Sequence, residues 1–392
     1  MTAPTETGTG VLSRLPSLTG LRFVAAMAVF FGHVGNLEVF ADPSAQATFD
    51  KIFYQGGWTA VDFFFIASGF SLAWVAELGD TARAFWRRRF FRIYPNYVVA
   101  FVVALLFGHA VLLYYRTTGM RVLDGLLNLF MLQAWSPDQR IEFGVNTIAW
   151  SLSAEAFFYF CFPFLIVALR KLAPNRLWPL AIGLMAAVWL VPLAAHLVPS
   201  QPHSMVGPVS APAYWFVYIF PVTRLIEFGL GMVLARIVQE GRWVRIGVRP
   251  LLALLAVGYV LPALVPSLPW SYHQVAVTVV PVALLIPAVA AIDLRGGWSP
   301  LRGRTAVWLG QISYAFFLLH GRIMEVLRGW LGGAPWSTHI AIAVTVFVLV
   351  VTVAAAGLLH TYVEQPIRRR FSKPRAREAV RESALASQPA PA

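Results

Sequence analysis

The sequence predicts an all-α polytopic membrane protein, a bundle of about ten transmembrane helices with one short re-entrant or interfacial segment. Of its 392 residues, 58% are hydrophobic and only 12% are charged, whereas a water-soluble domain carries about 25% charged residues. The net charge of +13 comes from basic residues in short runs between long apolar segments. This distribution is typical of cytoplasmic membrane loops rather than of a nucleic-acid-binding surface, so no nucleic-acid partner is expected.

Eleven apolar segments supply the predicted helices, and length separates one of them from the rest. The segment 122–135 has fourteen residues and would rise only about 21 Å as a helix, against a hydrocarbon core of about 30 Å. We therefore predict that it is interfacial or re-entrant, and that the other ten segments span the membrane. These ten are 19–40, 57–78, 94–115, 149–169, 177–198, 213–235, 250–267, 274–293, 305–327 and 338–362.

The distribution of Lys and Arg predicts the orientation of the bundle. With ten spans both termini lie on one side, and the loops of that side hold 23 basic residues against five on the other. Because basic loops stay in the cytoplasm, both termini are predicted to face it across the plasma membrane. Residues 1–14 form a polar cytoplasmic N-terminus, 15–366 one transmembrane domain, and 367–392 a basic, disordered cytoplasmic tail.

Ionisable residues within apolar spans are costly to insert, so each is a candidate functional residue. Counted from the predicted outer ends of four different spans, four such residues lie about 8–11 Å deep. They would form one polar layer: His33, Asp62, Glu155 and His320. The alternative is that these groups only hold helices together through hydrogen bonds. Two further histidines, His109 and His360, have no obvious partner and are predicted to be structural or interfacial.

A second polar region is predicted nearer the cytoplasm. Arg22 precedes His33 by eleven residues, which places it about 16 Å deeper on nearly the same face of the first helix. Both residues would then line one passage. At the inner end of that passage the segment FWRRRFFRIYPNY offers guanidinium groups that can hold phosphates bidentately, unless they only anchor the bundle at the membrane surface. These arginines are Arg87, Arg88, Arg89 and Arg92.

Six segments follow one another over residues 15–370. They are LPSLTGLRFVAAMAVFFGHVG, GGWTAVDFFFIASGF, FWRRRFFRIYPNY, NTIAWSLSAEAFFYFCFPFL, GQISYAFFLLHGRI and HTYVEQPIRRRF. In this order they resemble the conserved segments of the acyltransferase 3 family. Three positions depart from the family pattern. Thr19 or Phe23 stands where the first helix usually has Asp or Arg, and Ala156 stands where a second acidic residue often follows Glu155. These departures concern the class of acceptor rather than the type of reaction.

The resemblance implies a membrane O-acyltransferase. It would move an acetyl or short acyl group from acyl-CoA, a co-substrate rather than a bound cofactor, to a hydroxyl of a sugar-containing acceptor. The acceptor is either a glycosylated natural product such as a macrolide, which the LPSLTGLRF opening favours, or a cell-envelope glycan. Arg22, Arg88, Arg89 and Arg92 would bind the acyl-CoA, and no metal is required.

The chemistry of ester formation assigns roles to the outer polar layer. His33 is the expected general base, because imidazole titrates near neutrality and the sequence has no Gly-x-Ser-x-Gly elbow. Glu155 or Asp62 would orient it, and His320 would act on the acceptor or carry protons. The alternative function is a proton-coupled secondary transporter, since the same residue types build proton relays. A transporter would show flux without consuming a thioester.

Overall fold

The computed structural model describes residues 15–107 and 122–371, and the regular secondary structure of these residues is entirely helical. The helices are α1 (Pro16–Asn36), α2 (Pro43–Trp74), α3 (Ala82–Phe107), α4 (Val122–Leu129), α5 (Gln139–Glu142), α6 (Trp150–Lys171), α7 (Leu177–Ala194), α8 (Ala211–Tyr214), α9 (Pro221–Gln239), α10 (Val248–Leu264), α11 (Trp270–Val275), α12 (Val279–Leu294), α13 (Arg304–Trp330), α14 (Thr338–Leu359) and α15 (Gln365–Phe371). A π-helical turn joins α8 to α9, and another joins α14 to α15. The predicted all-α class is confirmed.

Seven helical segments of the described chain are long and apolar enough to cross a membrane. They are Pro16–Asn36, Ala82–Phe107, Trp150–Lys171, Pro174–Leu197, Ala211–Gln239, Trp270–Leu294 and Thr338–Phe371. The predicted number of about ten is therefore not confirmed. Of the remaining long helices, α10 has only 17 residues, while α2 and α13 are long but contain more polar and charged residues.

The centre of the bundle is α2, which packs against α1, α9 and α12. Because its neighbours are protein rather than lipid, α2 tolerates polar residues that an outer helix would not. Its backbone approaches that of α9 closely at two glycines. A methyl group added to Gly69 would lie 1.9 Å from the Phe228 carbonyl oxygen, and one added to Gly231 would lie 1.9 Å from the Ile66 carbonyl oxygen.

Two helices begin at least three turns earlier than the hydrophobic pattern predicts. The predicted second span starts at 57, but α2 starts at Pro43, where the Asp42 side chain accepts a hydrogen bond from the Ser44 N–H and caps the helix. The predicted third span starts at 94, but α3 starts at Ala82. The basic segment is thus helical rather than a loop, and its arginines have a fixed spacing around α3.

The predictions for the disordered tail and for the short segment 122–135 agree only partly with the structure. Residues 367–371, the first of the predicted disordered tail, belong to α15 and are helical. The segment 122–135 forms the eight-residue helix α4 and one 3-10 turn, and α4 would rise only about 12 Å. The predicted N-terminal segment 1–14, His109 and the predicted tail from 372 onward lie outside the described residues.

Candidate active site

A cavity of about 360 Å³ lies between α1, α2, α3, α6 and α13. Its ionisable lining comes from residues that are distant in sequence. Among the described residues these are Arg22, Arg89, Arg92 and Glu155, with the hydroxyls of Ser68, Ser71, Tyr159 and Tyr314 nearby. Three guanidinium groups against one carboxylate leave an excess of positive charge, which suits an anionic ligand.

Arg22 and Arg89 reach the cavity from different helices. The Arg22 guanidinium donates a hydrogen bond to the Ser71 hydroxyl at 2.7 Å, which fixes α1 to α2 at this level. The Arg89 guanidinium carbon lies 5.5 Å from the centre of the Phe85 ring, and its buried Nε has no hydrogen-bond partner among the described residues. Arg89 thus lines the cavity without a neutralising ion pair among the described residues.

The predicted acyl-CoA-binding arginines do not all lie together. Arg89 and Arg92 are three residues apart on α3 and so share one helix face, which lines the cavity. Arg88 is rotated by about 100° from that face. It pairs with Asp80 near the surface and does not line the cavity. The loop predicted here would have left all of them free to converge, whereas the helix separates them.

Glu155 accepts two hydrogen bonds at one of its carboxylate oxygens. The donors are the Tyr159 hydroxyl at 2.5 Å and the Ser68 hydroxyl at 2.9 Å. Because these partners also line the cavity, Glu155 belongs to the arginine-lined site.

The depth of Glu155 differs from the predicted single layer. Gly32, next to His33, packs directly against Gly57 of α2, whereas Glu155 contacts α2 at Ser68. Eleven residues separate these two contact points on α2, about 16 Å along the helix. Glu155 and His33 therefore do not share one level of the bundle, and Glu155 is not brought to His33 as its predicted partner.

His33 and His320 do come together. His33 Nδ1 lies 2.9 Å from the Val29 carbonyl oxygen, and His320 Nδ1 lies 2.7 Å from the Phe317 carbonyl oxygen. A carbonyl only accepts, so both Nδ1 atoms bear hydrogen. His320 Nε2 faces His33 Nδ1 at 3.3 Å and can share that proton as an acceptor. In this tautomer the lone pair of neutral His33 is on Nε2, which has no hydrogen-bond partner in the described part of the chain.

The histidine pair lies just beyond the cavity. Neither histidine lines it, but Phe64 and Phe317 do. Their ring centres are 6.0 Å apart, edge to face, and the Phe317 ring centre is 5.8 Å from that of His320. We call these two rings, of which Phe317 packs against His320, the aromatic wall.

Asp62 belongs to a different cluster. Its Oδ1 accepts a hydrogen bond from Arg224 at 2.8 Å and its Oδ2 accepts one from the Thr278 hydroxyl at 3.4 Å. Arg224 also pairs with Glu227 at 2.7 Å, and all three charged groups are buried. Asp62 faces α9 and α12 rather than α1, so the prediction that it orients His33 does not agree with its contacts. Buried charges need such partners.

The prediction that His360 has no obvious partner is wrong. His360 Nδ1 lies 2.9 Å from Glu364 Oε2, and the same oxygen accepts a hydrogen bond from Asn96 Nδ2 at 3.3 Å. The four-residue spacing of His360 and Glu364 was a readable signal of this pair. The contact with Asn96 on α3 was not, because it joins distant segments of the chain.

The model of an acyltransferase domain, that of the acyltransferase 3 family, matches residues 15–360. The chain belongs to the acyltransferase 3 family. The predicted resemblance is thereby confirmed over the whole described bundle except its last turns. With seven membrane-length apolar helices, membership of the family identifies a multi-pass membrane acyltransferase.

Individual relatives agree with this assignment. Acyltransferase MdmB of Streptomyces mycarofaciens is 40% identical over 92% of this chain and 94% of its own length. Peptidoglycan O-acetyltransferase OatA of Listeria monocytogenes is 24% identical over 91% of this chain but only 56% of its own length. A putative acetyltransferase of Acidianus two-tailed virus is 23% identical over 81% of this chain. These names give the transporter alternative no support. Among solved structures no significant match was found.

Proposed function

We propose that this acyltransferase moves an acetyl or other short acyl group from acyl-CoA to a hydroxyl of a sugar-containing acceptor. The observation behind this proposal is the cavity with three arginines at one end and the His33–His320 pair just beyond the other. The arginines suit the phosphates of the donor, and the imidazole suits a hydroxyl nucleophile. The acceptor is a glycosylated natural product such as a macrolide, or a cell-envelope glycan as the name of OatA suggests for that relative.

The proposed topology has ten spans, with α2, α10 and α13 added to the seven most apolar segments. Each of the three lies between two of those segments in the chain. This arrangement gives the strong excess of basic residues on the side of both termini and makes that side cytoplasmic. The start of α1, the end of α2 and the start of α3 then lie at the cytoplasmic face, so acyl-CoA enters the arginine-lined cavity from the cytoplasm.

The proposed reaction uses His33 Nε2 as the general base. The acceptor hydroxyl oxygen attacks the thioester carbonyl carbon while its proton passes to Nε2. The carbon–sulfur bond then breaks, and the CoA sulfur takes the proton from the imidazolium, giving the ester and free CoA. His320 replaces the predicted carboxylate: its Nε2 accepts a hydrogen bond from His33 Nδ1–H and so orients the ring and stabilises its cation. Glu155 holds Tyr159 and Ser68 in the donor cavity.

Release of free CoA from the purified protein tests this proposal. Given acetyl-CoA and a panel of glycosylated acceptors, the parent protein should release CoA, and His33→Ala should lower the rate by about 10²-fold or more. His339→Ala, an exposed histidine at the start of α14, is the matched control and should keep the parent rate. Undiminished turnover in folded His33→Ala contradicts the assignment of the base. Absence of CoA release by the parent with every acceptor contradicts the proposed function.

A further inference from the structure

The cavity follows a single face of α2 along its second half. The α2 residues that line it recur every three or four positions, which is the spacing of one helix face. They are Val61, Phe64, Phe65, Ser68, Ser71 and Leu72, and Trp74 and the capping residue Val75 complete the lining at the end of the helix. From Val75 to Val61 the helix rises about 21 Å, so the cavity is a channel rather than a shallow pocket.

The chemistry of the channel changes along this length. At the level of Ser71 it is cationic, because Arg22 hydrogen-bonds there. At the level of Ser68 it is polar and acidic, through Glu155. At the level of Phe64 it is apolar, and the opposite side is formed by Phe317 of α13. A ligand with an anionic head and a short apolar end matches this order.

The two rings of the aromatic wall are in contact across the apolar part of the cavity, one turn before Val61. Phe64 and Phe317 are partly accessible, whereas Phe70, also on α2, is fully buried and lies outside the lining. Since His320 lies beside Phe317, an acyl group entering from the arginine side meets these two rings before its carbonyl carbon approaches His33. Additional methylene groups have to displace the rings, and overpacking of this kind is unfavourable.

We propose that Phe64 and Phe317 determine the length of the acyl group that the protein transfers. The proposal rests on the proposed acyl-CoA function and specifies its donor: the wall admits an acetyl or similarly short chain and excludes longer ones. Truncation of either ring extends the apolar end of the channel toward the histidines and admits a longer chain.

The test compares acetyl-, butyryl- and hexanoyl-CoA as donors for the parent protein, Phe64→Ala, Phe317→Ala and Phe70→Ala. Discrimination of a methylene in an apolar pocket is worth about tenfold or more. We therefore expect the ratio of kcat/KM for hexanoyl-CoA to that for acetyl-CoA to rise at least about tenfold in both wall variants. Phe70→Ala removes the same atoms from the same helix outside the cavity, where the ring stacks on Trp74 rather than on the wall, and should leave the ratio unchanged.

The outcomes separate this proposal from the function on which it rests. An unchanged ratio in active Phe64→Ala and Phe317→Ala overturns the proposal and leaves the proposed function intact. An equal rise in Phe70→Ala also overturns it, because general loosening of α2 then explains the change. If the alanine variants do not fold, Phe64→Leu and Phe317→Leu are compared with Phe70→Leu by the same ratio. Absence of turnover by the parent with all three donors contradicts the proposed function itself.

Discussion

At the scale of single residues, the contacts divide the predicted polar layer into three separate groups. His33 pairs with His320, Glu155 joins the arginine-lined cavity, and Asp62 pairs with Arg224. Each carboxylate therefore balances a nearby cation instead of the imidazole. Glu155 differs from His33 in depth, and Asp62 faces α9 and α12 rather than α1. Counting residues from the predicted helix ends predicts neither difference.

The buried cluster around Arg224 predicts an order of stabilities. Arg224→Gln leaves Asp62 and Glu227 without their shared cation and should lower the free energy of unfolding by about 3–5 kcal/mol. Asp62→Asn should cost less, since Arg224 keeps Glu227. Arg88→Gln, which removes only a pair near the surface, should cost about 1 kcal/mol or less.

Denaturant unfolding of the purified variants in detergent micelles measures this order. The same samples report turnover per folded molecule, which should fall far less in Asp62→Asn than in His33→Ala. A larger loss of stability for Asp62→Asn than for Arg224→Gln would refute the structural role given to this cluster.

Glu142 provides a pH-dependent prediction. It is fully buried in α5, outside the seven apolar segments, and neither carboxylate oxygen has a hydrogen-bond partner among the described residues. Burial, and to a lesser extent the charge of Asp138, raises the pKa of Glu142 to about 9 from an ordinary value of 4.5. Below pH 4.5 the carboxyl is neutral in both folded and unfolded states. Between pH 4.5 and 9 only the unfolded state ionises, so stability is lost as the pH rises.

Glu142→Gln removes this ionisation. Its melting temperature should exceed that of the parent at pH 8.5 by more than it does at pH 5, as followed by scanning fluorimetry in detergent. Glu38→Gln, the same change at an exposed glutamate after α1, serves as the control. A difference between Glu142→Gln and the parent that is independent of pH would exclude a neutral buried carboxyl.

At the scale of elements, the orientation of α3 depends on contacts with α15 and with the π-helical turn that precedes it. Arg89, Arg92 and Asn96 fall on one face of α3 at positions i, i+3 and i+7. Asn96 hydrogen-bonds Glu364, and the Phe91 ring stacks on Phe371 of α15 at 4.4 Å. The π-helical turn that contains Glu364 thus fixes the rotation of the arginine face.

Glu364→Ala should therefore weaken donor binding without removing a catalytic group. Loss of hydrogen bonds to a charged acceptor predicts a rise of roughly five- to tenfold in the KM for acetyl-CoA with little change in kcat. Glu364→Gln should restore the parent KM, because one amide oxygen can accept from both Asn96 and His360. Steady-state kinetics at varied acetyl-CoA concentration measures KM and kcat separately. A fall in kcat at unchanged KM would assign Glu364 a different role.

At the scale of the whole molecule, the features that the sequence predicts are those that depend on composition and on the spacing of residues close together in the chain. Apolar runs predict the all-α class, and the spacing of Arg22 and His33 places two polar levels on one helix. The pairing of His33 with His320 and of Asp62 with Arg224 joins residues 287 and 162 positions apart, which no local pattern encodes. The hydrophobic pattern does not predict the central position of α2 either, because a helix surrounded by protein needs no apolar outer surface.

The most direct test of the account is the affinity of the purified protein for acetyl-CoA in Arg89→Gln and Arg87→Gln. Both changes remove one positive charge from α3 two positions apart, but Arg89 lines the cavity whereas Arg87 is exposed and does not. A charged hydrogen bond is worth about 1.5–3 kcal/mol, so titration calorimetry should show acetyl-CoA binding weakened at least about tenfold by Arg89→Gln. Arg87→Gln should weaken it less than threefold, about 0.6 kcal/mol. Equal effects of the two changes, or no binding of acetyl-CoA by the parent, would contradict an acyl-CoA donor site in this cavity.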